Sequence, residues 1–225
     1  MSARRPDPPP HRLRPVVRLL AVVVLAWQLA VAVPAQARPG DLDRVVGATG
    51  TVTTDFAGGP DDARALVVQG RQLVAAGLAF NSETNDDFGL ARYNANGALD
   101  RSFGTGGKVT INITGSNSPD EANALIQQAD GKLVAAGRTL GPIGGFDFAL
   151  ARYSANGALD PSFGTGGVVS TDIAGRSDTA RALIQQADGK LLAAGGTDTD
   201  TGSDSPWPGT TPTAPWTLAS GPLAW

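Results

Sequence analysis

The chain reads as an all-β protein assembled from tandem units of about 60 residues, each patterned for four short strands. Three observations predict this. Residues 88–107, FGLARYNANGALDRSFGTGG, recur at 148–167 as FALARYSANGALDPSFGTGG, identical at 17 of 20 positions with an offset of 60. Residues 124–137, ALIQQADGKLVAAG, recur at 182–195 as ALIQQADGKLLAAG, and a diverged copy, ALVVQGRQLVAAG at 65–77, is one residue shorter at its turn. Runs between Gly or Pro punctuation stay mostly below about ten residues, shorter than a typical helix.

Taken from the N-terminus, residues 1–18 are basic and Pro-rich. Leu19 to Val33 then runs for 15 residues without a charge, and Pro34-Ala-Gln-Ala37 gives an A-x-A ending before Arg38. A positive segment, a short apolar segment and a small-residue site predict a signal-peptide helix over 1–37, cleaved after Ala37. The apolar run falls short of the roughly 20 residues that span a bilayer, so no stable membrane span is expected after cleavage. The mature chain is therefore expected to be secreted or extracytoplasmic. Without residues 1–37 the body holds 13 basic and 20 acidic residues, a net charge of −7. A phosphate backbone would repel it, so nucleic-acid binding is not expected.

The mature chain divides into unit 1 over 41–97, unit 2 over 98–157, and an incomplete unit 3 over 158–204. The first strand of each unit is expected at Val109-Thr-Ile-Asn-Ile113 and its counterparts Val52–Phe56 and Val169–Ile173, where side chains alternate. The second and third form a hairpin, Ala124–Gln128 and Lys132–Ala136, around Asp130-Gly131, which supplies the positive φ of a tight turn. The fourth is Phe148–Tyr153, followed by a second turn at Asn156-Gly157, matched by Asn96-Gly97 in the preceding copy. The Gly-rich Phe163-Gly-Thr-Gly-Gly167 then leads to the next unit.

Four strands per unit in a tandem array is the pattern of a propeller blade, the alternative being an open β-solenoid. Ala135, Ala136, Ala149 and Ala151 are small enough to let blade faces approach. FALARYSANGALDPSFGTGG and ALIQQADGKLVAAG resemble the delta-60 repeat, a family of bacterial exported proteins of unknown function, over residues 41 to about 204. That resemblance implies a β-propeller and an extracytoplasmic location, and it implies no catalytic residues. The chain as written holds about two and a half blades, and propellers typically close with about four to eight. Exposed blade faces are therefore expected to self-associate, and the chain is expected to be a fragment of a longer protein.

The tail 205–225 departs from the repeat. Asp204 stands where Asp87 and Asp147 stand, but the expected Phe-Ala-Leu-Ala-Arg-Tyr does not follow it. Ser205-Pro-Trp207 written as TCG CCC TGG and read from its third base gives Ala-Leu-Ala. Continuing in that frame with free third bases chosen yields Arg-Tyr-Asn-Ala-Asp-Gly-Thr-Leu-Asp, which is the repeat. One base lost after the Asp204 codon accounts for the tail; the alternative is a Pro/Thr-rich linker.

No residue is assigned a catalytic, cofactor or metal role. The chain has no Cys, and its one His, His11, lies in the signal segment, so Cys-His and Ser-His-Asp systems and the usual zinc sets are excluded. Only carboxylate chemistry remains: the loop acid pairs Asp61/Asp62 and Asp86/Asp87 are candidates for work such as glycoside hydrolysis, and are read instead as ordinary turn formers. Asp198-Thr-Asp-Thr-Gly-Ser-Asp204 resembles a calcium loop faintly, without the terminal bidentate Glu. Gly104-Thr-Gly106-Gly107 has no following Lys-Ser/Thr and fails as a phosphate loop. Arg92 and Arg152 are expected to pair with carboxylates between blades. The resulting expectation is a non-enzymatic binding or display protein for carbohydrate or protein, against a lyase or hydrolase with its site on other blades, or a degraded frame.

Overall fold

The computed structural model describes residues 41–115, 117–173 and 175–198, and the backbone of 217–220. The signal segment, the calcium-like loop beyond Asp198 and most of the tail lie outside the described residues. Among the described residues eleven strands form three antiparallel sheets: β1 (Asp62–Gln69), β2 (Gln72–Asn81), β3 (Asn85–Tyr93) and β4 (Lys108–Ile111); β5 (Glu121–Gln127), β6 (Leu133–Leu140), β7 (Phe146–Tyr153) and β8 (Val168–Thr171); and β9 (Asp178–Gln185), β10 (Leu191–Thr197) and β11 (Thr217–Ser220). In each sheet the strands lie in chain order, an up-and-down meander, as a propeller blade requires. The chain is all-β, and its sheets are those of a partial β-propeller.

Sheet and sequence repeat are out of phase. The strand around Val109 pairs with β3, which precedes it, and so closes the first sheet rather than opening the second. The Gly-rich loop causes this by folding back on β3: Arg92 N donates to Gly107 O at 3.0 Å and Gly107 N to Phe103 O at 2.9 Å. Gly104 carries φ +51°, conformational freedom that the turn needs. Residues 43–50 are a third copy of this loop that the sequence reading missed, with Gly47 at φ +61° and Gly50 N bonded to Val46 O. Consequently the expected strand Val52–Phe56 is not formed. Its ladder partner would be the third strand of a sheet preceding it, and the described residues hold none. Val52–Phe56 instead borders the open face of the first sheet, with Thr54 Oγ1 2.7 Å from the Tyr93 hydroxyl.

The hairpin turns also differ from the two-residue form. Gln128 N bonds Lys132 O and Gly131 N bonds Gln128 O, with Gly131 at φ +86°. This is the three-residue loop whose last residue is left-handed. The diverged first copy has the two-residue loop Gly70-Arg71 instead, which explains its missing residue.

The AAG that ends each hairpin motif has a steric cause. The register shifts between Ala122 and Ala124, bringing the Glu121 carbonyl so close to Gly137 that an added Cβ would lie 1.7 Å from its oxygen. Gly77 and Gly195 meet the same bulge at 1.8 and 1.9 Å.

The core lies between sheets. Val74, Ala76, Phe88, Leu90 and Phe103 of the first sheet pack on Ala122, Leu125, Leu133, Ala135, Ala149 and Ala151 of the second. Val134, Phe148, Leu150 and Phe163 of the second repeat the contact against Ala180, Leu183, Leu191 and Ala193 of the third. Large side chains on one face meet a largely alanine face on the next, so the sheets pack closely. Each buried Val, Leu or Phe contributes about 1.5–3 kcal/mol, which a single sheet cannot realise alone.

β11 sits in the third-strand position of the third sheet. Leu218 pairs with Ala194 and Ala219 with Ala193, the register in which Leu150-Ala151 pair with Ala136-Ala135. The sequence reading placed the whole tail outside the repeat. Thr217-Leu-Ala-Ser220 shares the Leu-Ala of Ala149-Leu-Ala-Arg152, and that short match suffices for a four-residue ladder.

Candidate functional site

The repeat places acids at the seams between sheets. Asp61, Asp120 and Asp178 precede or open the first strand of their sheets, and each accepts a bond from the backbone N of the residue that ends the preceding loop. The donors are Phe56 at 3.0 Å, Ile113 at 2.7 Å and Ile173 at 2.7 Å. These carboxylates staple one sheet to the segment before it. Asp87 and Asp147 stand at the start of the third strand, and both are buried. Asp87 accepts from Thr84 Oγ1 at 2.9 Å and Asn81 Nδ2 at 3.2 Å; Asp147 accepts from Ser170 Oγ at 3.2 Å. In both, Oδ1 is buried without a hydrogen-bond partner.

Between the second and third sheets these acids converge. Asp147, Asp172 and Asp178 each offer a carboxylate oxygen within 4.8 Å of the other two. Asp172 is exposed, and Asp147 and Asp178 are buried. Burial raises the Asp147 pKa above the usual carboxylate value; the Ser170 bond opposes this, and the charges of Asp172 and Asp178 add to it. The Asp178 Oδ1 is buried and unpartnered, as is the hydroxyl of Thr197, its cross-strand neighbour. In the first seam the corresponding hydroxyl, Thr139 Oγ1, lies 2.5 Å from Asp120 Oδ1, and Asn112 replaces Asp172. No metal-ligating set was read from the sequence. Recurrence of Asp at 87 and 147, and at 61, 120 and 178, was the available signal; the convergence depends on which sheets face one another.

Of the acid pairs read from sequence, Asp86 and Asp87 lie within β3 rather than in a loop, and as adjacent strand residues they point to opposite faces. Asp61 is the last residue of the loop before β1, which Asp62 opens. Asp61 also accepts from Phe80 N at 2.9 Å, while Asp62 pairs with Arg64 at 3.0 Å.

Arg92 and Arg152 do bind carboxylates, but within their own sheets. Arg92 Nε lies 2.9 Å from Asp100 and Arg152 Nε 2.8 Å from Asp160, over the rings of Phe103 and Phe163. What crosses the seam is Arg92 Nη1, donating to the Ala155 carbonyl at 2.6 Å. Asp160 is held well below the usual carboxylate range by the Ser162 hydroxyl first and by Lys132, 3.0 Å away. Gly104 N is spent on Asn156 O and Thr105 N on Lys108 O, so that loop offers neither of these donors to a phosphate.

A groove of about 830 Å³ runs beside Ile113, Leu140, Pro142 and Val169, and none of its lining side chains is ionisable. Among the described residues no helix is long and apolar enough to cross a membrane.

A search of curated proteins finds no match for the chain. Residues 71–103 and 128–163 match the model of a family described as a domain of unknown function (DUF5122) beta-propeller. Both matched stretches cover the second and third strands, and they end on the equivalent Phe103 and Phe163. By that match and by its sheets, the chain is a β-propeller repeat protein.

Proposed function

We propose that this chain is a stretch of an exported, delta-60-type β-propeller that serves as a non-enzymatic scaffold for binding or display and is completed by further blades. One observation carries the reading. Leu66, Leu125 and Leu183 hold the same place on the first strand of the three sheets, yet Leu66 is 62% exposed while the others are 7% and 6% exposed. The open face with Leu66 and Val68 has the character of an inter-blade surface. At the other end Ile184, counterpart of the half-buried Ile126, is 55% exposed. Loop 43–50, folded as though it belonged to a preceding sheet, supports the same reading. Rigid discs of this kind present loops for recognition, which suits a binding or display role.

β11 fills only four residues of a third-strand position that β3 and β7 fill with nine and eight. The adjacent-frame Ala-Leu-Ala-Arg-Tyr would fill it at full length. Resequencing the locus across the Asp204 codon and beyond tests the proposal. Repeat units continuing in one frame are the expected result; an unchanged frame with no repeat in the adjacent one removes the fragment reading.

A further inference from the structure

We propose that Asp147, Asp172 and Asp178 bind a divalent cation of the calcium class at the seam between the second and third sheets. The oxygens fit the ion: two ligands at about 2.4 Å from one cation stand at most about 4.8 Å apart, and these three lie within 4.8 Å of one another. Proximity of acids alone does not make a site. The second observation is the state of the buried members. Asp147 is 4% exposed and Asp178 is 0% exposed, and Oδ1 of each is sealed from water without a donor. A buried carboxylate oxygen left this way is desolvated without compensation, and a positive charge at the shared point offsets that cost.

The charged groups that act on Asp147 are both acids, so mutual repulsion is part of the arrangement. The exposed Asp172 gives the site a side open to solvent, from which waters can complete the six to eight ligands that calcium takes. Asp172 is itself held in place, since its Oδ1 accepts from Gly175 N at 2.5 Å.

The first seam is a natural contrast. There Asn112 takes the place of Asp172 and makes the same turn, accepting from Gly115 N at 2.7 Å. Asp120 has both oxygens occupied, by Ile113 N and Thr139 Oγ1. One fold thus carries a three-carboxylate version with two buried oxygens lacking donors and a two-carboxylate version in which only Asp87 Oδ1 lacks one. Asp172→Asn converts the former toward the latter without changing the turn.

The test is calorimetric titration of calcium chloride into the chelator-stripped mature chain, with melting followed in chelator and in calcium. A Kd of about 10⁻⁴–10⁻³ M and a rise in Tm of roughly 3–5 °C at tenfold that concentration are expected. Asp172→Asn should melt in chelator no lower than the parent, lose most of the calcium-induced rise, and bind calcium at least about tenfold more weakly. Asp188→Asn, which alters an exposed turn acid on the Lys190 side chain, should keep the full response. Absence of calcium heat with the parent overturns the proposal. So does an undiminished response in Asp172→Asn, or an equal loss in Asp188→Asn, which would mark diffuse binding to surface acids.

Discussion

The two seams are made from nearly the same sequence, yet they differ in how fully their polar groups are matched. In the first, Arg92 reaches the Ala155 carbonyl, Gln69 Nε2 donates to Gly131 O at 3.1 Å, and Thr139 meets Asp120, although Asp87 Oδ1 and the Tyr153 hydroxyl are buried without partners. In the second, Gln128 Oε1, Thr197 Oγ1 and the Oδ1 atoms of Asp147 and Asp178 are buried without partners. The apolar halves of the seams match closely, Phe88 and Phe148 each packing into alanine-rich faces. A repeat therefore encodes a face, and the neighbour decides what that face costs or contributes. Stability in such an array is approximately a sum over units and seams, so the second seam is expected to open first.

The largest effects come from the packed leucines. Leu125→Ala empties a site closed on both sides and should cost about 2–5 kcal/mol in urea unfolding. Leu183→Ala should fall at the low end of that range, because the third sheet has a shorter third strand to hold it. Leu66→Ala, at the same repeat position on an open face, should stay within about 0.5 kcal/mol. Equal costs at Leu66 and Leu125 would mean that the open face is covered in solution.

The arginines sharpen the contrast. Arg92→Ala removes the charge partner of Asp100, which keeps its bonds from Ser102 and Gln72, together with the bond to Gln69 Oε1 and the seam bond to Ala155, and should cost roughly 3 kcal/mol. Arg152→Ala leaves Asp160 still paired with Lys132 and should cost about 1–2 kcal/mol. A double-mutant cycle of Arg92→Ala with Gln69→Ala should show coupling, since the side chains touch at 2.9 Å. Independent effects would place the Arg92 contribution on Asp100, Ser102 and the Ala155 carbonyl rather than on Gln69.

Much of the fold was legible because it is local or periodic. Alternation located the strands, Asp-Gly and Asn-Gly located the turns, and identity at an offset of 60 located the units. The sheet boundary was not legible, because strand order along the chain does not say whether Val109 pairs backward or forward. The fold-back of Gly104–Gly107 decides it, through bonds to β3 that a linear reading cannot see. Loop 43–50 was missed for a different reason: Val45-Val46 stand where Ser102-Phe103 stand, which breaks the most visible part of the motif. The acidic cluster was the least legible feature, since Asp147 and Asp178 lie 31 positions apart and meet only when two sheets stack.

The smallest expected effect is a bend in the pH dependence of stability, measured by calorimetry in chelator. Burial, foremost, pushes the Asp120 carboxyl up; bonds from Thr139 and Ile113 oppose this, and the Asp87 charge reinforces it. A raised folded pKa means the folded state takes the proton more readily, so stability rises as pH falls toward that value. Asp100 and Asp160 have the opposite sign. The hydroxyls of Ser102 and Ser162 lower them first, with Arg92, Lys132 and Arg152 adding to this. Their stabilisation is complete above the unfolded carboxylate pKa of about 4 and is lost as pH falls below it. Tm should therefore climb slightly as pH falls through the raised carboxyl toward the ordinary carboxylate range, and then fall below about pH 4. Asp120→Asn should shallow the rising limb, to which the raised Asp86 and Asp147 also contribute, and leave the falling one. A Tm that declines steadily from neutrality in the parent would mean that water reaches Asp120 and the first seam is looser than its bonds indicate.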